Sequence, residues 1–173
     1  MRIFAAIPVS EKLQNEVLKY REFYPDLPVR WLEGKNLHIT LIPPWEEKNI
    51  EEIKIVLKHL ENKYGRFEMK FDEVSLGPNR YNPRLIWATG KAPKKIIELK
   101  KSLELLLKMP SERDDFLLHL TIARFNPSEF RRFRAREIND KINWKDGARE
   151  FAIMRSRLSR GGADYEIIEK FKL

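Results

Sequence analysis

Two histidines in this chain of 173 residues stand in the same short pattern, His38-Ile39-Thr40 and His119-Leu120-Thr121. Histidine titrates near neutrality, so of two imidazoles flanking one ligand, one can be neutral and take a proton while the other is charged and gives one. In-line displacement at phosphorus requires that division: one imidazole draws a proton from the attacking water, and the other protonates the leaving oxygen on the far side. The hydroxyls of Thr40 and Thr121 would donate hydrogen bonds to the non-bridging oxygens, where the transition state gathers charge. A lone His-x-Thr is more often structural than chemical, and it is the pairing that carries the argument. The scheme needs no metal and no cofactor, and no carboxylate stands at ligand spacing beside either histidine. The third histidine, His59, falls about 200° around a helix from Leu57 and is expected to face solvent, which also weakens a three-histidine zinc site.

The chain contains no cysteine, which removes disulfides, thiolate nucleophiles and cysteine-based zinc or iron–sulfur centres. A formal net charge of +8 suits a polyanionic partner, nucleic acid or another phosphate-rich ligand, although excess Lys and Arg also serve solubility alone. Met1 to Pro8 carries one positive charge and too few apolar residues for a signal peptide or membrane span, so a cytoplasmic protein without membrane contact is expected.

The elements that must hold the histidines follow from periodicity. Arg2 to Ile7 reads as an apolar strand, and Ser10 caps a helix with Leu13, Val17 and Tyr20 inside. Asn36 to Leu41 alternates, with Leu37, Ile39 and Leu41 on one face and His38 and Thr40 on the other, and Pro43-Pro44 is expected to stop that strand. A helix is expected over about Glu46 to Tyr64, then a strand from Phe67 to Leu76, closed by Gly77-Pro78-Asn79. The order then recurs. Arg84 to Thr89 is a strand, Pro93 opens a helix with Ile96, Leu99, Leu103 and Leu106 inside, and Leu117 to Ala123 is a second alternating strand, carrying His119 and Thr121. A short helix near Pro127 turns Phe130 and Phe133 inward, Phe151, Ile153 and Leu158 mark a strand equivalent to Phe67–Leu76, and Asp164 to Leu173 forms the last strand.

The two histidines lie 81 positions apart (38 to 119), and the strands that begin the two units lie 82 apart (2 to 84). Such agreement implies an internal duplication. The expected architecture is one α+β domain, a duplicated two-lobed fold with lobes over residues 2–80 and 84–163 and a final strand over 164–173. Two mainly antiparallel sheets would flank a central cleft, with helices outside. An approximate two-fold axis between the units would turn both His-Thr faces towards one small ligand.

His38-Ile39-Thr40-Leu41 and His119-Leu120-Thr121-Ile122-Ala123-Arg124 resemble the paired motifs of the 2H phosphoesterases, and within them the RNA 2′,3′-cyclic phosphodiesterases, also called 2′-5′ RNA ligases. The likeness extends over Arg30-Trp31 through Asn36-Leu37, Pro83 to Trp87, Ser156-x-Leu158 and Gly162-Ala163-x-Tyr165-Glu166, and so over essentially the whole chain. It implies hydrolysis of a terminal 2′,3′-cyclic phosphate to a 2′-phosphate, with His38 as proton donor and His119 as proton acceptor. It also implies ATP-independent 2′-5′ ligation when an RNA hydroxyl end attacks in place of water. RNA with a cyclic phosphate end, tRNA fragments among them, is the implied partner; no obligate protein partner is inferred. The resemblance further makes Arg124 a phosphate or base contact. Strand parity does not, because Arg124 continues the apolar face of Leu118, Leu120 and Ile122 unless the strand ends or bulges after Ile122. Where the family commonly has an aromatic or aliphatic residue and a glycine, this chain has Ile42-Pro43-Pro44-Trp45, so that rim of the cleft is expected to differ.

Phe116, Trp31, Trp45 and Tyr81 are candidates to stack a terminal base, against the plainer reading that they are core. Arg131, Arg132, Arg134, Arg136, Arg155, Arg157 and Arg160 could track RNA phosphates or form a solvated face. Gly161-Gly162 reads as a turn between the last two strands. Two other functions remain open on sequence: the same chemistry on a small cyclic nucleotide or ADP-ribose cyclic phosphate, and a non-catalytic RNA-binding module.

Overall fold

The computed structural model describes residues 1–79, 81–111, 116–130, 133, 138–159 and 162–173. The first strand, β1 (Arg2–Pro8), is buried on both faces from Ile3 to Ile7, as its unbroken apolar run requires. Helix α1 (Glu11–Glu22) begins where Ser10 accepts the Leu13 amide, and it buries Leu13, Val17 and Tyr20. After the two-residue strand β2 (Arg30–Trp31) and a 3-10 turn over Gly34–Asn36 comes β3 (His38–Glu46). Helix α2 (Ile50–Lys58), capped by Asn49, leads to β4 (Phe67–Gly77).

The second half runs β5 (Leu85–Gly90), α3 (Lys94–Leu106), β6 (Leu118–Arg124), a single helical turn α4 (Pro127–Phe130), β7 (Asn139–Ala148), β8 (Glu150–Ser159) and β9 (Gly162–Lys172). Phe133 is buried, as expected, whereas the Phe130 side chain and Arg131, Arg132, Arg134, Arg136, Arg160 and Gly161 lie outside the described residues.

Two antiparallel sheets result, in the orders β3-β1-β8-β9 and β2-β6-β5-β4-β7. Setting aside the edge strand β2, β3, β1, β8 and β9 of one sheet occupy the places of β6, β5, β4 and β7 of the other. The duplication is thus visible in the topology, but the sheets do not follow the sequence boundaries at 80 and 84. β4 belongs to the first unit and lies in the second sheet, while β8 belongs to the second unit and lies in the first. β4 pairs antiparallel with β5, and β8 with β9, whereas β7 and β8, joined through Arg149 alone, lie in different sheets, so the chain crosses from one sheet to the other at that point.

One apolar cluster joins β1 through Ile3, Ala5 and Ile7 to α1, to β4 through Met69 and Phe71, and to α3 through Ile96, Leu99 and Leu103. A smaller one, Phe4, Ala6, Ala152 and Met154 with Tyr165 against it, covers the opposite face of the first sheet. That face carries His38 and Thr40.

Two expectations are corrected, and one strand was not expected. β3 begins at His38 because Asn36 closes the 3-10 turn, and it continues through Pro43-Pro44 to Glu46. Proline is tolerated there because β3 is an edge strand and Pro43-Pro44 fall at the register shift between Ile3 and Ala5, where the ladder with β1 is interrupted. Helix α2 spans Ile50–Lys58, shorter than Glu46 to Tyr64, because Glu46 still belongs to β3 and His59 caps the C-terminal end. β7 has no counterpart among the expected elements, because Asn139-Asp140-Lys141-Ile142-Asn143 holds one apolar residue and gives no strand periodicity. It is the outer strand beside β4, where a polar, charged strand discourages further pairing.

Candidate active site

The motif strands β3 and β6 pack against each other across the two sheets. Each follows its threonine with a departure from alternation. His38 and Thr40 are half-buried, Leu41 and Ile42 both buried, and Pro43 exposed; His119 and Thr121 are half-buried, Ile122 and Ala123 both buried, and Arg124 exposed. The register shows why. Ala6 faces Thr40 and Ala5 faces Ile42, so Leu41 is an extra residue; Trp87 faces Thr121 and Ile86 faces Ala123, so Ile122 is an extra residue. A bulge absorbs one residue and exchanges the faces of those that follow. In β6 it places Arg124 opposite Leu85, two residues from Trp87 on the same side of β5, and so returns Arg124 to the face of His119 and Thr121. Of the alternatives that parity left for Arg124, the bulge is the one the chain adopts. Pro43 takes the matching place in β3.

The histidines are held alike. Nδ1 of His38 lies 2.8 Å from the carbonyl oxygen of Asn36, and Nδ1 of His119 lies 2.9 Å from that of Leu117. A carbonyl oxygen only accepts, so in each neutral ring Nδ1 carries the proton and Nε2 keeps the lone pair available for proton transfer.

Their surroundings differ. The His38 ring packs on Phe4 at 4.8 Å and meets the edge of Tyr165 at 5.0 Å. Asn36 ties this corner together: it is buried, Tyr165 N–H donates to its Oδ1 at 3.1 Å, and its Nδ2 donates to the Ala163 carbonyl at 3.4 Å. His119 has one aromatic neighbour among the described residues, Trp87 at 5.3 Å, whose Nε1–H donates to Ser75 Oγ at 3.2 Å. Gly77 makes room for that indole, since a Cβ there would run into the Trp87 ring.

Burial pushes His38 down to about 4 from its ordinary 6.5; the Asn36 carbonyl opposes the shift, and the positive charges of Arg124 and His119 add to it. With β3 against β6, Arg124 and His119 lie near enough to His38 for their charges to act on it. Beside them opens a pocket of about 380 Å³ whose lining includes Arg30, Trp31, Lys35, Asn36, Arg124 and Tyr165. Lys35 is paired there with Asp164 at 2.8 Å.

Of the aromatic candidates, Trp31 is half-buried, lines this pocket and meets Tyr20 edge to face at 6.4 Å. Phe116 packs against the main apolar cluster, and Trp45 is half-buried with its Nε1–H on Glu47 Oε2 at 3.2 Å. Tyr81 is 87% exposed in the loop between β4 and β5. None of these three lines the pocket beside Arg124. His59 is exposed at the end of α2, as expected. Arg157 is engaged with Glu166 at 2.7 Å on the β8–β9 hairpin, a solvated ion pair. Among the described residues no three of His, Asp and Glu lie together where a metal ion could be held. Asn36, Tyr165 and Trp87 touch the motif histidines, and periodicity did not single them out. Their sequence signal was that all three fall in the segments that carry the family resemblance.

A family model described as LigT-like phosphoesterase matches residues 7–87, which include the first motif. The chain is 26% identical to an RNA 2′,3′-cyclic phosphodiesterase of Methanocaldococcus jannaschii, over 99% of this chain and all of the relative. It is 32% identical over 127 residues to an RNA 2′,3′-cyclic phosphodiesterase of Archaeoglobus fulgidus, covering 72% of each. Among solved structures, a Thermus thermophilus protein superposes with a TM-score of 0.80 at 22% identity, covering all of this chain and 98% of the other. The E. coli LigT complexed with 3′-AMP superposes with a TM-score of 0.77 at 19% identity, covering 99% and 97%. These two likenesses speak for the fold, while the A. fulgidus relative carries the family. With the duplicated topology and paired motif strands, this identifies the chain as a member of the 2H phosphoesterases, in the LigT-like RNA 2′,3′-cyclic phosphodiesterase family.

Proposed function

We propose that the protein hydrolyses RNA 2′,3′-cyclic phosphate ends to 2′-phosphomonoesters, with His38 and His119 as the acid–base pair. The observation that carries this reading is the equivalent seating of the two rings, each with Nδ1 fixed on the carbonyl two residues back and the charge of one felt at the other. Water attacks phosphorus and loses its proton to one Nε2; the bond from phosphorus to the ribose 3′-oxygen breaks, and that oxygen takes a proton from the other Nε2. Thr40, Thr121 and Arg124 face the growing charge on the non-bridging oxygens. The pocket holding Trp31 is of a size for one nucleoside, and Trp31 offers a face to a base.

Family resemblance makes His38 the donor, but an imidazole pushed down to about 4 is neutral at pH 7 in the unliganded protein. As donor, His38 must take up its proton together with the anionic phosphate, whose charge offsets Arg124 and His119. The reverse assignment, with His38 as acceptor, requires no such uptake at His38, because that ring is already neutral. Attack by a 5′-hydroxyl end in place of water gives 2′-5′ ligation through the same pair. The cytoplasm and tRNA fragments are the location and RNA pool we assign on composition and resemblance.

The test is incubation with a cyclic-phosphate-ended RNA in excess chelator, followed by locating the phosphate on the product. A 2′-phosphate is expected. A 3′-phosphate, or an intact cyclic end, contradicts the proposal. Comparing the rate with that on a small cyclic nucleotide separates the RNA reading from the small-molecule one.

A further inference from the structure

A second depression, of about 830 Å³, borders the strand beside His38: Pro8, which faces His38 in the β1–β3 register, forms part of its wall. Besides Lys170 on β9, four exposed cations from different parts of the chain line it. They are Lys12 on α1, Arg66 before β4, Lys145 on β7 and Arg149 in the β7–β8 turn. The acids in the same lining are already engaged. Glu150 pairs with Lys170 at 2.6 Å and Glu68 with Lys70 at 3.5 Å. Asp146 is buried, and its Oδ2 accepts the Ser10 amide at 2.9 Å, so it occupies the N-terminal end of α1. Among the described residues no carboxylate pairs with Lys12, Arg66, Lys145 or Arg149.

Four uncompensated cations around one open trough attract a polyanion more strongly than the net charge of +8 spread over the surface. We propose that this trough is a phosphate-binding exosite for the single-stranded RNA upstream of the cyclic end. The inference rests on the RNA-end reading above and deepens it, because the trough rewards chain length that the catalytic cleft does not contact.

The test uses K145Q/R149Q and the quadruple variant K12Q/R66Q/K145Q/R149Q. Turnover of a cyclic mononucleotide and of a cyclic-phosphate-ended oligonucleotide is followed across a salt series. The quadruple variant is expected to keep mononucleotide turnover, which also shows that it folds. Its kcat/KM on the oligonucleotide should fall about tenfold, and its log–log salt slope should flatten by about 0.7 per lost phosphate contact. Oligonucleotide kcat/KM and salt slope equal to those of the unaltered protein overturn the proposal. A direct binding titration with a labelled 3′-phosphate oligonucleotide runs beside it. If the unaltered protein turns over neither substrate, the RNA-end reading fails by itself. A flattened binding slope in the variant then still supports the exosite, and an unchanged one overturns it.

Discussion

The two motif strands are copies in backbone and differ in what surrounds them. β3 and β6 share the half-buried His and Thr, the bulge after Thr and the ring nitrogen seated on the carbonyl two residues back. Only β6 ends in a cation, Arg124 against Pro43, and only the β3 histidine is enclosed by two aromatic rings and a buried asparagine clamp. A duplicated frame delivers two imidazoles in equivalent poses; the aromatic enclosure on one side then lowers the affinity of His38 for a proton. General acid–base catalysis by two residues of one type depends on such differences in surroundings.

The sharpest way to break the comparison is to remove each histidine. His38→Ala and His119→Ala should each lower kcat/KM on a cyclic-phosphate RNA by about 10²- to 10⁴-fold, measured in steady state. A loss confined to one of them would make the strands unequal in kind. Next is the cation that only β6 carries. Arg124→Gln should cost about 10²-fold in kcat/KM and raise the midpoint at which His38 titrates, since one positive neighbour is gone.

Acid should expose the enclosure of His38. Its affinity for a proton is lower in the folded chain (about 4) than in the unfolded one (about 6.5), so the unfolded chain binds the extra proton between those values. Stability is complete above pH 6.5 and declines as pH falls towards 4, by up to about 3 kcal/mol. Urea unfolding at the two ends of that window should show this decline in the unaltered protein and a smaller one in His38→Gln. The smallest effect concerns the seats of the rings. Asn36→Ala should lower kcat by about tenfold with little change in KM and should shift the His38 titration. Leu117→Ala should do neither, because His119 uses only the Leu117 backbone carbonyl, and that side chain is 46% exposed.

Much of the molecule was legible in the sequence because its signals are local. Ser10 before Leu13, Val17 and Tyr20 is a cap and a helical stripe, and it became α1 as read. The 81-residue spacing of the histidines reflects strands that take matching places in two sheets. What escaped depends on partners far along the chain. The exchange of β4 and β8 between sheets is a matter of which strands pair, which leaves no mark in hydrophobic periodicity. β7 is a strand because β4 offers it an edge, not because Asn139 to Lys145 favours extension. Pro43-Pro44 would end an inner strand and does not end an edge strand. The bulge at Ile122, which decides where Arg124 points, is a matter of register with β5. The Asn36 clamp reaches Ala163 and Tyr165, more than a hundred residues away.

The central claim is that two equivalently seated imidazoles serve one phosphate, and nitrogen-15 NMR of the histidine rings tests it most directly. The account predicts protonated Nδ1 and bare Nε2 in both neutral rings, His38 titrating near 4, and the Nε2 signals of His38 and His119 moving together as a 2′-nucleotide is added. A ring that carries its neutral proton on Nε2, or a nucleotide that shifts one histidine and leaves the other unchanged, would contradict it.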